Sequence, residues 1–312
     1  MRLETPPFLF MNGNVVPWAE AQVHIWSETA VRATNVFEGL HASWLAERRA
    51  WRVLAWTDHI ERLACSARLM RIPHDFNERY FSAAVRDLLS ALPYRQDLYV
   101  RPTIYVEYGP FTSRADDIEV GVYVVAFPKA ASDLNPPVLS CTISSWPRYS
   151  DLAGTPRAKG GAIYSNVRLA RIEAAHRGFD DAILLNHYGR VAELTGACLF
   201  IVRNGKLATP AITESILEGI TRAWTLRAAK RLGLEVEERP IERTELYVAD
   251  EVFGVGTLDE IRAVGEIDDI TVGKGAAGEI TQAITDAYAD RLRGPLDDPG
   301  DLIIEDYLTA TR

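Results

Sequence analysis

The segment Pro156-Arg157-Ala158-Lys159-Gly160-Gly161-Ala162 holds the side chain best suited to covalent chemistry. The chain has 34 basic residues, and only those at 129, 159, 206, 230 and 274 are lysines. A desolvated lysine amine loses its proton and attacks a carbonyl carbon, which arginine does not do. Lys206 follows an Asn-Gly turn, and Lys230 falls in the last turn of a predicted helix, where positive charge suits the macrodipole. Lys274 lies in a polar turn and Lys129 in a predicted linker. Lys159 differs from these: Ala158, Gly160, Gly161 and Ala162 leave it without bulky cover and let a flat ligand approach the backbone. By spacing alone the segment also reads as a surface loop.

Three further positions supply what a lysine-bound, phosphorylated ring cofactor needs. Gly219, Ile220 and Thr221, in Leu217-Glu218-Gly219-Ile220-Thr221-Arg222, open a predicted helix whose first amides and hydroxyl form a phosphate cup; a plain helix N-terminus is the alternative. Glu193, in Gly189-Arg190-Val191-Ala192-Glu193-Leu194-Thr195-Gly196, pairs with a pyridinium nitrogen or is a solvated strand residue. Tyr164, five residues after Lys159, bonds a ring oxygen or packs in a core. Phosphate, ring nitrogen and phenolic oxygen are the handles of pyridoxal phosphate.

Other chemistries lack their residues. The Gly273-Lys274-Gly275 turn has neither the upstream glycine nor the Ser/Thr of a P-loop, and no GxGxxG follows a strand. The six histidines show no paired-ligand spacing, so no metal site is expected. No GxSxG elbow occurs. The net charge of −9 disfavours a nucleic-acid partner. Cys65, Cys141 and Cys198 are odd in number and far apart, which fits a reducing cytoplasm better than a disulfide framework. No run approaches the roughly 18 apolar residues of a membrane span, and the N-terminus lacks a signal-peptide pattern.

The elements that must position these residues are mixed. An Asn12-Gly13 hairpin opens the chain. Residues 57–70 read as a helix with Asp58 as N-cap, Glu61 as its capping-box partner, and Leu63, Ala67 and Met70 on one face. Residues 97–109 and 119–127 read as adjacent strands. Residues 128–137, polar and ending in two prolines, read as a linker. Beyond it come a strand at 138–146, a helix at 165–178 closed by Gly178, hairpins at Tyr188-Gly189 and Asn204-Gly205, a helix at 220–233 closed by Gly233, and strands around a glycine-rich turn within 251–267. The composition, 47% apolar and 25% charged, is that of an ordinary globular protein. The pattern is α+β without a regular parallel βαβ series.

In order and at matching intervals, the segments NVFEGL, HIERL, YVRP, AKGGAIYSN, LEGITR, ADEVF and GTLDEI resemble the class IV pyridoxal phosphate-dependent aminotransferases, most of all the branched-chain amino acid aminotransferases. The resemblance runs from about residue 8 to about residue 290. It implies a two-domain, fold type IV α+β protein: a small N-terminal domain (1–128), an interdomain loop (129–137) and a large pseudobarrel domain (138–312), assembled as a homodimer in the cytoplasm. It implies that Lys159 holds pyridoxal 5'-phosphate as a Schiff base and moves a proton, that Tyr164 meets the ring oxygen and Glu193 the ring nitrogen, and that Arg62, Gly219, Ile220, Thr221 and Thr257 meet the phosphate. Phe37, Tyr99 and Arg101 then match substrate-pocket positions. The chain departs from the family where Arg32 replaces a pocket tyrosine, Lys129 a loop aromatic and Leu258 a small residue after Thr257. These changes imply a more basic substrate pocket.

The reaction so implied is ping-pong transfer of an amino group from an amino donor to a 2-keto acid. The alternatives are a lyase of the aminodeoxychorismate lyase type, which needs no keto-acid acceptor, and an amine or D-amino acid transaminase on the same fold. The tail from Gly294 onward has no role in this reading.

Overall fold

The computed structural model describes residues 5–108, 117–130, 135, 137–295 and 298–306. The predicted linker residues 131–134 and 136 lie outside the described residues. The chain forms two compact units that interleave along the sequence: Met1–Ala131 with Ala158–Ala162 and Leu292–Arg312, and Ser132–Arg157 with Ile163–Arg291.

The first unit contains β1 (Phe8–Met11), β2 (Asn14–Pro17), α1 (Glu28–Arg32), β3 (Asn35–Phe37), β4 (Leu40–Leu45), β5 (Ala50–Val53), α2 (Trp56–Leu69), α3 (Glu78–Ala91), β6 (Leu98–Tyr108) and β7 (Glu119–Pro128). Asn12 and Gly13 turn β1 into β2 with φ of 48° and 95°, the left-handed pair that a two-residue hairpin requires. The sheet runs β5-β4-β6-β7-β1-β2, with β3 also on β6. Helix α3 is capped by Asn77, whose Oδ1 accepts the Tyr80 N–H at 3.0 Å. It buries Phe81, Ala84, Val85, Leu88 and Leu89, each large side chain contributing about 1.5–3 kcal/mol by leaving water.

Helix α2 departs from the sequence expectation. It starts at Trp56, its N-cap is Ala55 with φ 48°, and no side chain of its own caps it. Asp58 is therefore a first-turn residue, where its charge still suits the dipole. The cap comes from elsewhere in the chain, as described below.

The second unit contains β8 (Leu139–Ile143), α4 (Tyr164–His176), β9 (Asp181–Leu185), β10 (Val191–Leu194), β11 (Cys198–Arg203), β12 (Lys206–Thr209), α5 (Ile220–Arg231), β13 (Val236–Glu238), β14 (Glu251–Gly256), β15 (Glu260–Ile267), β16 (Ile270–Thr271) and most of α6 (Glu279–Arg293). The sheet order is β10-β9-β8-β15-β14-β11-β12-β13, and β10 also pairs with β11. That pairing joins Glu193 to Cys198 and closes the strands from β10 through β11 into a ring. Strands β8–β9, β8–β15 and β12–β13 are parallel, and the other pairs are antiparallel. Ile143, Ile183, Val191, Leu194, Leu199, Ile201 and Val264 form the core of this unit. The turn between β14 and β15 is Thr257–Asp259, not the glycines expected there. Gly254 lies within β14, where an added Cβ would collide with Leu194 Cδ1.

The C-terminal tail returns to the first unit as β17 (Leu302–Glu305), antiparallel to β5 from Leu302↔Val53 to Glu305↔Ala50. Asp301 Oδ1 accepts the Ala55 N–H at 2.8 Å and Oδ2 accepts Arg52 Nε–H at 2.6 Å. The Gly300 carbonyl accepts the Thr57 N–H at 3.1 Å. The tail thus supplies the missing cap of α2. Asp306 takes Arg95 through both carboxylate oxygens, at 2.8 and 2.9 Å.

Candidate active site

In the first unit, α2 presents His59, Arg62 and Ser66 at i, i+3 and i+7, so they share one face. Arg62 grips Glu38 as a fork: Nε donates to Oε1 at 2.7 Å and Nη2 to Oε2 at 2.8 Å. His59 Nδ1 lies 2.7 Å from the same Oε2. Glu38 is fully buried. Burial alone would raise its carboxyl, yet the Arg62 charge and the bonds from Arg62 and His59 hold it well below the usual carboxylate range. Burial pushes His59 down, with Arg62 and Lys159 adding to the effect against the pull of Glu38.

The Lys159 segment is pinned to the same two elements. Its N–H donates to Ser66 Oγ at 3.0 Å. Its carbonyl accepts the Phe37 N–H at 3.0 Å, and Gly160 bridges to Val36. Gly161 has a packing cause as well as the access expected for it, whereas Gly160 has room for a Cβ. A Cβ on Gly161 would sit 2.6 Å from Asn35 Oδ1, and one on Gly160 3.4 Å from the Asn35 carbonyl.

The Lys159 amine lies 5.4 Å from the Phe37 ring centroid, and the Arg101 guanidinium carbon lies over the same ring at 3.6 Å. Two cations therefore share one aromatic surface. Tyr99 covers Gly39, where a Cβ would meet the phenol oxygen at 2.6 Å. Arg32 is exposed in the last turn of α1. Lys129 leaves β7 with its N–H on the Asp97 carbonyl at 2.9 Å and its amine 3.4 Å from the Ala130 carbonyl.

In the second unit, Glu193 is buried where β10 closes the ring. Its Oε2 accepts the Leu217 N–H at 3.0 Å. Its Oε1 lies 2.6 Å from Arg148 Nε, an ion pair at an angle too poor for a hydrogen bond. Arg148 is buried, and its Nη1 has no acceptor among the described residues. Each carboxylate oxygen has two lone pairs, so both retain capacity for another donor.

Gly219 precedes α5, and no side chain caps the helix. The glycine is required by Cys198, whose Sγ would stand 2.6 Å from an added Cβ. Thr221 is buried and bonded to the hydroxyl of Tyr288, which burial raises well above the usual phenol range. Ile220 opens α5, and Tyr164 opens α4 half-buried. Thr257 and Leu258 lie in the β14–β15 turn, with Leu258 53% exposed.

These residues suit pyridoxal phosphate. In the second unit, the uncapped amides of a 12-residue helix and a buried hydroxyl fit a phosphate; in the first unit, taken by itself, so does an arginine. A lysine in close-packed small residues fits an aldehyde, and a buried carboxylate fits a pyridinium. Motif reading overlooked four residues: Glu38, His59, Ser66 and Arg148. The first two stood inside quoted motifs without a role, and the 59/62/66 spacing was an available sign of a shared face. Arg148, alone in a loop, carried none.

The family model for class IV aminotransferases matches residues 35–267. A probable branched-chain-amino-acid aminotransferase of Aquifex aeolicus is 37% identical over 292 residues, covering 93% of each chain. The branched-chain amino acid aminotransferase of Thermobaculum terrenum, solved in its PLP form, superposes with a TM-score of 0.87 at 39% identity, covering 93% of this chain and 95% of that one. The T.th. branched-chain amino acid aminotransferase complexed with N-(5'-phosphopyridoxyl)-L-glutamate gives 0.85 at 31% identity, over 93% and 95%. The family model and these relatives show that this chain belongs to the class IV aminotransferases and is a pyridoxal 5'-phosphate-dependent enzyme.

Proposed function

We propose that the enzyme transfers amino groups between an amino donor and a 2-keto acid with Lys159 as its catalytic residue and with acidic substrates favoured. The observation that carries the preference is Arg101. It lies on the ring that also neighbours the Lys159 amine, and among the described residues it has no carboxylate partner. A cation placed beside the reactive amine without an internal acid favours an anionic side chain and penalises an apolar one. The glutamate adduct of the T.th. relative supports the same reading. Arg32, exposed at the end of α1, is a secondary contributor, as is Lys129.

Bound pyridoxal phosphate supplies an electron sink for the bonds at the substrate α-carbon. Lys159 Nζ would hold that group covalently and, when free, would carry the proton of the substrate α-carbon. Glu193, anchored by the Leu217 N–H and Arg148, holds the ring-nitrogen proton. Arg62, Gly219, Ile220, Thr221 and Thr257 hold the phosphate, and Tyr164 the ring oxygen. Phe37, Tyr99 and Leu258 shape the substrate side. Assembly as a cytoplasmic homodimer, with no nucleic-acid or membrane partner, completes this reading; no described helix is long and apolar enough to cross a membrane.

Two measurements test it. Borohydride reduction and peptide mapping must place the cofactor on Lys159. Arg101→Leu must lower the glutamate-to-leucine ratio of kcat/KM by about 10–100-fold, the range for a lost charged hydrogen bond. Label on another lysine ends the catalytic assignment, and an unchanged ratio ends the acidic-substrate assignment.

A further inference from the structure

The fork between Glu38 and Arg62 raises a conflict. Arg62 is assigned to an anion, yet its Nε–Nη2 edge is already given to a buried anion 2.7–2.8 Å away. His59 is held neutral-leaning by burial, so the Glu38–Arg62 pair carries almost no net charge. On Coulomb grounds alone Glu38 weakens phosphate binding, and removing its charge should tighten it. The geometry argues the reverse. Glu38 has no solvent exposure, its backbone N–H is fixed on the Pro102 carbonyl at 3.0 Å, and it directly follows Phe37, whose N–H holds the Lys159 carbonyl. The carboxylate is thus a rigid reference tied to the Lys159 segment. A bidentate fork fixes both the plane and the rotation of a guanidinium, which a long arginine side chain does not do by itself.

We propose that Glu38 is a positioning residue that sets Arg62 to receive the cofactor phosphate, and so registers the phosphate grip against Lys159. The gain from orientation exceeds the loss from neutralised charge. His59 completes the anchor by donating Nδ1–H to the second oxygen. This proposal rests on the reading of Arg62 as a phosphate ligand. A residue that acts only through Arg62 must affect phosphorylated cofactor and spare the unphosphorylated form.

The test uses the holoenzyme loaded with pyridoxal phosphate or with pyridoxal, and reads the dissociation rate of each after trapping the released aldehyde. The ³¹P shift of the bound phosphate is the second readout. Arg62→Met must accelerate release of pyridoxal phosphate and leave pyridoxal unchanged; if it does not, the Arg62 reading fails and Glu38 loses its target. Given that result, Glu38→Gln must accelerate release of pyridoxal phosphate by about 10–100-fold, displace the ³¹P resonance, spare pyridoxal, and add nothing further in the Arg62→Met background. Slower or unchanged release in Glu38→Gln overturns the positioning role while leaving Arg62 in place. Equal acceleration of both cofactor forms also overturns it, since that marks a general loosening. Should Glu38→Gln not fold, Glu38→Asp retains the charge and withdraws the carboxylate by one methylene. It must lose the phosphate selectivity too, and full retention of that selectivity overturns the proposal.

Discussion

Replacing Asp301 by Asn tests whether the tail holds the first unit together. The side chains of Arg52 and Asp301 are only 1% and 3% exposed. The substitution leaves the Arg52 cation buried against a neutral amide. Stranding one member of a buried pair costs about 3–5 kcal/mol. The Asn oxygen still accepts the Ala55 N–H, so the capping contribution, about 1 kcal/mol, is largely kept and the loss is electrostatic. Arg52→Met should cost a similar amount by stranding Asp301. The double variant Arg52→Met/Asp301→Asn strands no charge, and the methionine refills the arginine stem. It should lie within about 2 kcal/mol of wild type, well below the sum of the single effects. Urea unfolding followed by tryptophan fluorescence reads these differences, since Trp51 and Trp56 flank the pair and are buried. Hydrogen exchange at Ala55 and Thr57 reports the cap separately. A single Asp301→Asn cost below about 1 kcal/mol, or a double variant as unstable as the summed singles, would refute the reasoning.

Glu193→Gln should retain cofactor, because Leu217 N–H still has an oxygen to meet, yet slow transamination by about 10²–10³-fold; near-normal turnover in a single-turnover assay would assign the ring nitrogen to another partner. The stability of the first unit should fall as pH drops below about 6.5, the unfolded histidine value. His59 is depressed in the fold by burial, so the unfolded chain takes up a proton that the folded chain refuses, at a cost of up to about 1.4 kcal/mol per pH unit until the folded value is reached. Glu38, also depressed by its partners, contributes stability that is fully present above the unfolded carboxyl value and lost as pH falls through the folded one. His59→Asn should flatten the slope of urea stability between pH 6.5 and 5 by up to one proton, and an unaltered slope would contradict this.

What could be read from the sequence was local, or repeated an ordered family pattern. Asn204 and Gly205 turn β11 into β12 with φ of 52° and 75°, as an Asn-Gly pair between apolar runs requires. Gly178 and Gly233 close α4 and α5 with φ of 87° and 76°, because only glycine takes that conformation without strain. Lys159 stood out by its small neighbours, whereas Glu193 and Thr221 gained their roles only from the ordered family pattern. The closure of the second sheet was legible only through the family resemblance, which implies a pseudobarrel, and not from local pattern. It depends on β10 meeting both β9 and β11, and nothing in the composition of these strands shows that β10 through β11 form a ring.

The error at α2 shows why. Capping rules search within a few residues of a helix start, and Asp58 with Glu61 satisfies them on paper. The carboxylate that accepts the Ala55 N–H lies 246 residues away, in a tail to which the sequence reading gave no role. Glu38 escaped for the same reason: it meets Arg62 across 24 residues, and a glutamate between phenylalanine and glycine has no local mark of burial. Gly161 shows the converse. Its sequence setting suggested access for a flat ligand, and the structure adds the side chain of Asn35 against it. Asn35 belongs to the strand whose neighbouring residues hold Lys159, so the glycine that bares the lysine also lets the lysine segment lie against that strand. Two demands on one residue leave a single mark in the sequence, and only the fold separates them.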